Sequence, residues 1–129
     1  MERQAARFEG TCGTCGAACT GWAEQFVEKD GLRWALDLEC TCGTASCDRG
    51  RGTAQAAVRE EILARHGTYR LQAEGAVVLK AIRSAFGLSI AEAQRAARAG
   101  YSGTLVEVRL LAELVRRAGV PAALDRDDQ

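Results

Sequence analysis

The cysteine spacing constrains this chain more than any other feature, because five of the six cysteines lie in two short segments. Cys12 and Cys15 stand in the run Cys-Gly-Thr-Cys-Gly, and residues 39–47 read Glu-Cys-Thr-Cys-Gly-Thr-Ala-Ser-Cys. Two thiolates a few residues apart around a tight turn supply half of a tetrahedral zinc site. The spacing therefore predicts a fold in which both segments meet at one metal ion.

The 24 residues between Cys15 and Cys40 predict a β-hairpin. Residues 32–39 alternate with period two, so that four apolar side chains share one face. These apolar side chains are Leu32, Trp34, Leu36 and Leu38. The preceding Asp30-Gly31 pair is typical of a hairpin turn. A hairpin between two cysteine clusters is the layout of a zinc ribbon, which we expect over residues 8–50.

The identity of the fourth ligand is open between two cysteines. Cys12, Cys15 and Cys42 are the firm candidates, and Cys40 is favoured over Cys47 because its register matches that of Cys12. Positions two apart in an extended strand are about 6 to 7 Å apart, so Cys40 and Cys42 can both ligate only if the chain bends between them. The sixth cysteine, Cys19, is interpreted as a free thiol.

Composition favours a metal site over disulfides. The 129 residues include no signal peptide and no apolar run of about 18 residues, so we expect a cytoplasmic protein without a membrane partner. Cytoplasmic thiols stay reduced, and cysteines there more often bind metal. The formal net charge is zero, whereas a nucleic-acid-binding module usually shows a strong basic bias.

The remaining sequence predicts an α+β arrangement rich in helices. A helix is expected over residues 53–66, capped by Thr53 and linking two units, and a strand over residues 68–73. Three further helices are expected to end near Gly87, Gly100 and Gly119. Two capping boxes predict helix starts. They are Ser89 with Glu92, and Thr104 with Glu107.

Residues 77–94, Val-Val-Leu-Lys-Ala-Ile-Arg-Ser-Ala-Phe-Gly-Leu-Ser-Ile-Ala-Glu-Ala-Gln, resemble the C-terminal domain of the bacterial ribosomal stalk protein. The resemblance covers residues 69–124 and extends to the ending Leu-Val-Arg-Arg-Ala-Gly-Val-Pro-Ala-Ala-Leu. It implies a domain over residues 68–125 in which three helices cover a three-stranded antiparallel sheet. A protease adaptor that delivers substrates to Clp machines shares that fold, so fold alone leaves the partner open.

The resemblance also implies a site for a protein partner. Leu79, Lys80 and Arg83 match the apolar and basic positions with which the stalk family meets elongation factors. Ala91 and Gln94 replace two lysines of the family, and two arginines restore charge on the same helix. These are Arg95 and Arg98. The expected function is that of an adaptor whose partner is a translational GTPase or a biosynthetic enzyme.

Two alternatives come from other features of the chain. Nucleic-acid or ribosome binding through the ribbon would use Arg49, Arg51 and either Trp22 or Trp34. An accessory subunit of an enzyme is the second alternative. A closed four-thiolate zinc site is structural, and the single histidine, His66, is explained by its place at a helix end. We therefore expect a protein that is not itself an enzyme.

Overall fold

The computed structural model describes residues 3–98 and 100–127, which form an α+β protein with four helices and two antiparallel sheets. The first half contains β1 (Arg3–Thr11), β2 (Ala18–Glu28), β3 (Gly31–Glu39), β4 (Ala45–Arg51) and α1 (Ala56–His66). The second half contains β5 (Thr68–Gln72), α2 (Ala76–Phe86), α3 (Ile90–Ala97), β6 (Ser102–Gly103), α4 (Leu105–Arg117) and β7 (Ala123–Asp127). None of the helices in the described ranges is long and apolar enough to cross a membrane.

The first sheet has the order β1-β2-β3-β4, so each strand pairs with its neighbour in sequence. The turns β1–β2 and β3–β4 lie at one end of the sheet, and the turn β2–β3 lies at the other. This turn differs from the predicted one by one residue. Glu28 pairs with Gly31, so the loop is Lys29-Asp30, and both residues adopt a positive φ, of 53° and 61°.

Helix α1 covers the inner face of the first sheet. Val58 and Ile62 are fully buried and pack with Ala6, Ala23 and Trp34 from the strands. The helix begins at Ala56 with Gln55 as its cap, so the prediction that Thr53 caps it is wrong. Instead, the Thr53 hydroxyl donates to the carbonyl of Phe86. The helix interpreted as a link therefore belongs to the core of the first sheet.

The second sheet has the order β6-β5-β7, with β5 in the centre and antiparallel to both neighbours. Both predicted capping boxes are confirmed, at the starts of α3 and α4. Helix α4 buries its apolar face against this sheet and against α2, and α2 also packs on α3 and on β3 of the first sheet. The largest fully buried apolar side chains that the second half contributes to this core are Ile82, Val106, Val108, Leu111 and Val115.

The two halves of the chain share an interface. Leu32 of β3 is 1% exposed and packs in the same cluster as the buried residues of α2 and α4, and Val27 of β2 packs against that cluster. Beside these apolar contacts, the amide of Gln25 on β2 donates to the carboxylate of Glu107 on α4 at 2.8 Å. The inner face of the first sheet is thus covered by α1 and, nearer the β2–β3 turn, by the helices of the second half.

Candidate metal centre

The first pair of cysteines lies in the β1–β2 turn. The backbone N–H of Cys12 donates to Ala17, and the N–H of Gly16 donates to the carbonyl of Cys12, at 2.8 and 2.9 Å. Gly16 has a φ of +73°, a conformation that glycine adopts without steric cost. These bonds close a tight loop that points the thiols of Cys12 and Cys15 toward the end of the sheet.

The second pair of cysteines lies in the β3–β4 turn, which has a similar loop. The N–H of Cys40 donates to Thr44 at 2.9 Å, and the N–H of Gly43 donates to the carbonyl of Cys40 at 3.0 Å. Strand β3 ends at Glu39, immediately before this turn. The chain therefore bends between Cys40 and Cys42, as simultaneous ligation by both requires.

The two turns bring four sulfur atoms together. The Sγ atoms of Cys12 and Cys42 are 3.8 Å apart, and those of Cys15 and Cys40 are 3.5 Å apart. All four lie within 4.8 Å of one another. A tetrahedral ion with metal–sulfur bonds of about 2.3 Å needs sulfur atoms separated by about 3.8 Å. The donor set and its spacing therefore fit a metal ion held by four thiolates.

Hydrogen bonds at the turns already favour the thiolate at two of the four positions. The N–H groups of Cys15 and Thr14 lower the pKa of Cys12 to about 6. The hydroxyl and backbone of Thr44 lower the pKa of Cys42. At Cys40 the N–H of Cys42 favours the thiolate, but bonds with the Cys15 and Cys42 sulfurs and desolvation outweigh it and raise the pKa to about 12. A bound metal cation would replace the proton that these closely spaced sulfur atoms share.

The other two cysteines lie outside this cluster. Cys47 is exposed on β4 opposite Asp37, whose carboxylate raises the pKa of the Cys47 thiol. Cys19 is buried on β2 opposite Gly10. The structure thus assembles the favoured set, with Cys40 and not Cys47 in the fourth position. His66 is also remote, because it ends α1 and its Nε2 lies 2.8 Å from the carbonyl oxygen of Ala5.

The residues predicted to meet a partner lie on α2, on α3 and at the C-cap of α3. Lys80 and Arg83 are exposed, whereas Leu79 is half-buried and packs against the core. On the same helix Val78 and Ile82 point inward, as helical spacing predicts. Arg95 on α3 and Arg98, the C-cap residue that follows it, are both exposed. Ile90, at the start of α3, is 57% exposed and was not predicted as a contact residue.

The two tryptophans have different environments. Trp22 is 45% exposed on the outer face of the first sheet, where its neighbours across the strands are Arg7 and Asp37. Trp34 is 9% exposed and packs on the inner face, over Gly50. Of the two, Trp22 alone exposes enough of its ring to contact another molecule.

The buried centre around Glu107 was not expected from the sequence, in which Glu107 is only part of a capping box. Glu107 is 1% exposed, and its carboxylate accepts hydrogen bonds from the side chains of Arg59, Gln25 and Tyr101. It also accepts from the N–H of Thr104. Burial and the nearby Glu107 carboxylate raise the pKa of Tyr101, so its hydroxyl stays a donor.

Comparison with models of known protein families, with curated proteins and with solved structures finds no significant match to this chain. The candidate metal centre therefore rests on its own geometry.

Proposed function

We propose that the cluster of Cys12, Cys15, Cys40 and Cys42 binds one zinc ion. The observation that supports this most strongly is the spacing of the four sulfur atoms, which matches a tetrahedron with zinc–thiolate bonds. Iron also accepts four thiolates in this geometry. Metal analysis of protein purified without chelator distinguishes the two ions, and we expect one zinc per chain.

The proposed zinc ion is structural. Four thiolates complete its coordination and leave no position for substrate or water, which a catalytic zinc requires. The ion would tie the β1–β2 turn to the β3–β4 turn, at the end of the sheet opposite the β2–β3 turn. This arrangement would make the first part of the chain a zinc ribbon. We accordingly propose a protein without catalytic activity of its own.

We further propose that the second half is a recognition domain of the ribosomal stalk type. Its partner face would consist of exposed residues of α2, of α3 and of the C-cap of α3, supported by the half-buried Leu79. The exposed residues are Lys80, Arg83, Ile90, Arg95 and Arg98. A basic face with exposed apolar surface suits a protein partner that is acidic around an apolar contact. A translational GTPase is the first candidate and a biosynthetic enzyme the second.

Capture of partners from a lysate of the native cell tests this recognition face. Lys80→Glu combined with Arg83→Glu reverses two exposed charges one helical turn apart. We expect this double variant to lose the partner while its melting temperature stays within a few degrees, since exposed charges contribute little to stability. Glu60→Lys combined with Arg65→Glu on α1 reverses two exposed charges away from this face at unchanged net charge, and this control should retain the partner. Undiminished capture by the α2 variant would place the binding face elsewhere.

The exposure of Trp22 favours one second candidate, which is binding of single-stranded nucleic acid or ribosomal RNA on the outer face of the first sheet. Aromatic side chains on such a face stack with bases, and arginines contact phosphates. Here Arg7 is the neighbour of Trp22, while Arg49 lies 3.8 Å from the Asp37 carboxylate. Nucleic-acid affinity should fall steeply with salt. Binding of a 20-nucleotide single strand that is lost on Trp22→Ala would support this candidate.

A further inference from the structure

The sulfur atoms of the candidate metal centre lie close together in two pairs, each of which joins the β1–β2 turn to the β3–β4 turn. Cys12 and Cys42 are 3.8 Å apart at Sγ, and Cys15 and Cys40 are 3.5 Å apart. A disulfide bond holds its two sulfur atoms about 2.05 Å apart. Each pair therefore needs to approach by less than about 2 Å to form this bond, which is within the reach of side-chain rotation.

Each pair combines one accessible sulfur atom with one that is less accessible. Cys15 and Cys42 are exposed, whereas Cys40 is half-buried and Cys12 is buried, with 6% of its surface exposed. A dissolved oxidant therefore reaches one member of each pair first and finds the other member beside it. Redox-sensing cysteines have this arrangement, in which the accessible sulfur is oxidised and a neighbouring cysteine then attacks it.

Pairing between the turns is more favourable than pairing within a turn. Cys40 and Cys42 are separated by Thr41 alone, so a bond between them would close a very small ring and strain the disulfide geometry. Pairing Cys12 with Cys15 would leave those two without any other cluster partner. The two bonds between the turns instead link residues 30 and 25 positions apart. Links over such distances restrict the unfolded chain and so stabilise the folded one.

We propose that this centre is a redox switch that exchanges the zinc ion for two disulfide bonds while the first sheet stays folded. One bond joins Cys12 to Cys42 and the other joins Cys15 to Cys40. The fold persists because the bonds tie together the same two turns that the zinc ion would tie. Zinc release rests on the proposed function, whereas the pairing of the sulfur atoms does not.

The oxidant is a peroxide, and hydrogen peroxide is the probe that tests it. Peroxide transfers one oxygen to the exposed sulfur of a pair, which gives a sulfenic acid and hydroxide. The thiolate of the partner cysteine attacks the sulfenic sulfur, forms the S–S bond and displaces a second hydroxide. Each disulfide thus consumes one peroxide and two protons and yields two waters, so the sulfur atoms are oxidised and the peroxide oxygens are reduced. Once both pairs have reacted, no thiolate of the cluster remains to hold the ion, which leaves as Zn²⁺.

Oxidation of the purified full chain by hydrogen peroxide tests the proposal. Zinc release is followed with a chromogenic chelator, and fragmentation mass spectrometry without reductant maps the disulfides. We expect all bound zinc to be released as the Cys12–Cys42 and Cys15–Cys40 bonds form, and dithiothreitol with added zinc to reverse both changes. The disulfide map is repeated on zinc-free protein. The zinc content before oxidation tests the proposed function and the map tests this inference, so the two can fail separately.

Double variants test the pairing on zinc-free protein. Cys12→Ser with Cys42→Ser retains the pair Cys15 and Cys40, which should still form an intramolecular disulfide. Cys12→Ser with Cys15→Ser retains Cys40 and Cys42 and is the matched control, which should form none. Equal disulfide formation by the two double variants would overturn the proposal.

The fold of the oxidised chain is measured by hydrogen exchange. Oxidised wild type should keep its protection near residues 10–20 and 38–46, because both turns stay linked. Cys47→Ser should oxidise at the wild-type rate and to the same products, since Cys47 lies outside the cluster. Loss of protection in both turns, disulfides within a turn or to Cys19 or Cys47, or sulfinic acids in place of disulfides would overturn the proposal.

Discussion

The guanidinium of Arg59 on α1 donates to the carboxylate of Glu107 on α4 through three N–H···O contacts of 2.9 to 3.2 Å. Gln25 of β2 donates to the same carboxylate, so the first sheet, its covering helix and the second half converge on one buried anion. Burial alone would lower the pKa of Arg59, but the hydrogen bonds and charge of Glu107 override it and raise the pKa. This centre joins the two halves of the chain through buried polar contacts.

Replacing Glu107 should therefore destabilise the whole chain. Glu107→Ala leaves Arg59, Tyr101 and Gln25 without their buried acceptor, and loss of one partner of a buried pair costs about 3 to 5 kcal/mol of unfolding free energy. Chemical denaturation followed by circular dichroism measures the change. Glu113→Ala, an exposed residue six positions later on the same helix, should cost less than about 0.5 kcal/mol. Similar stability of the two variants would show that the Glu107 centre contributes little.

Removing a ligand should loosen the metal end of the first sheet and leave the rest folded. Cys15→Ser deprives the ion of one thiolate, so the two turns lose the link between them. Ala23, Trp34 and Ile62 remain packed beneath α1, further along the sheet from the metal end. Hydrogen exchange should show lost protection near residues 10–20 and 38–46 and unchanged protection in α4. Equal loss in α4 would mean that the metal stabilises both halves alike.

The fourth ligand can be tested by comparing two serine variants. Cys40→Ser should release zinc to a competing chelator faster than wild type, because only three thiolates remain. Cys47→Ser should release it at the wild-type rate, since that thiol lies on β4 beside Asp37. Release is followed by the absorbance of the chelator complex. Faster release from Cys47→Ser than from Cys40→Ser would move the site to the loop that contains Cys47.

Adding a methyl group at Gly50, which lies against Trp34, should destabilise the fold. A Cβ atom at Gly50 would approach the indole ring of Trp34 to 2.5 Å, so Gly50→Ala must displace a buried aromatic side chain. We expect a loss of about 1 to 3 kcal/mol, typical of overpacking. At Gly13 a Cβ atom would meet nothing within 4 Å, which makes Gly13→Ala a suitable control. Thermal unfolding of both variants compares the two sites.

The Asp30–Arg117 ion pair predicts a small acid-sensitive contribution to stability. The hydrogen bond and charge of Arg117 hold the pKa of Asp30 below its ordinary value of 3.8. A depressed pKa means that the pair stabilises the fold above the ordinary value, and that this contribution disappears as pH falls through the lower, folded-state pKa. Carboxyl NMR titration should show a lower midpoint for Asp30 in wild type than in Arg117→Ala. Equal midpoints would contradict the pair.

The sequence predicted those features that depend on local chemistry. Alternation identified β3, the capping boxes located the starts of α3 and α4, and cysteine spacing selected all four members of the cluster. The wrong predictions, at the hairpin turn and at the start of α1, concern residues whose conformation depends on contacts distant in sequence. Glycine accepts a positive φ most easily, yet the hairpin turn uses Lys29 and Asp30, the latter held by Arg117 from the other half of the chain.

Features that depend on long-range packing could not be read from the sequence. Thr53 has the chemistry of a helix cap, but its hydroxyl instead meets the carbonyl of Phe86, which is 33 residues away. Glu107 fits a capping box, and nothing nearby in sequence reveals that Arg59 and Gln25 reach it as well. The Glu107 carboxylate caps α4 and also accepts hydrogen bonds from Arg59 and Gln25. Only the packing of α1 and β2 against α4 reveals the second role.

X-ray absorption at the zinc edge, on protein purified without chelator, tests the central proposal most directly. Zinc bound by Cys12, Cys15, Cys40 and Cys42 should give a first shell of four sulfur atoms at about 2.3 Å. A shell that contains nitrogen or oxygen, or protein that carries no zinc, would contradict the four-thiolate site.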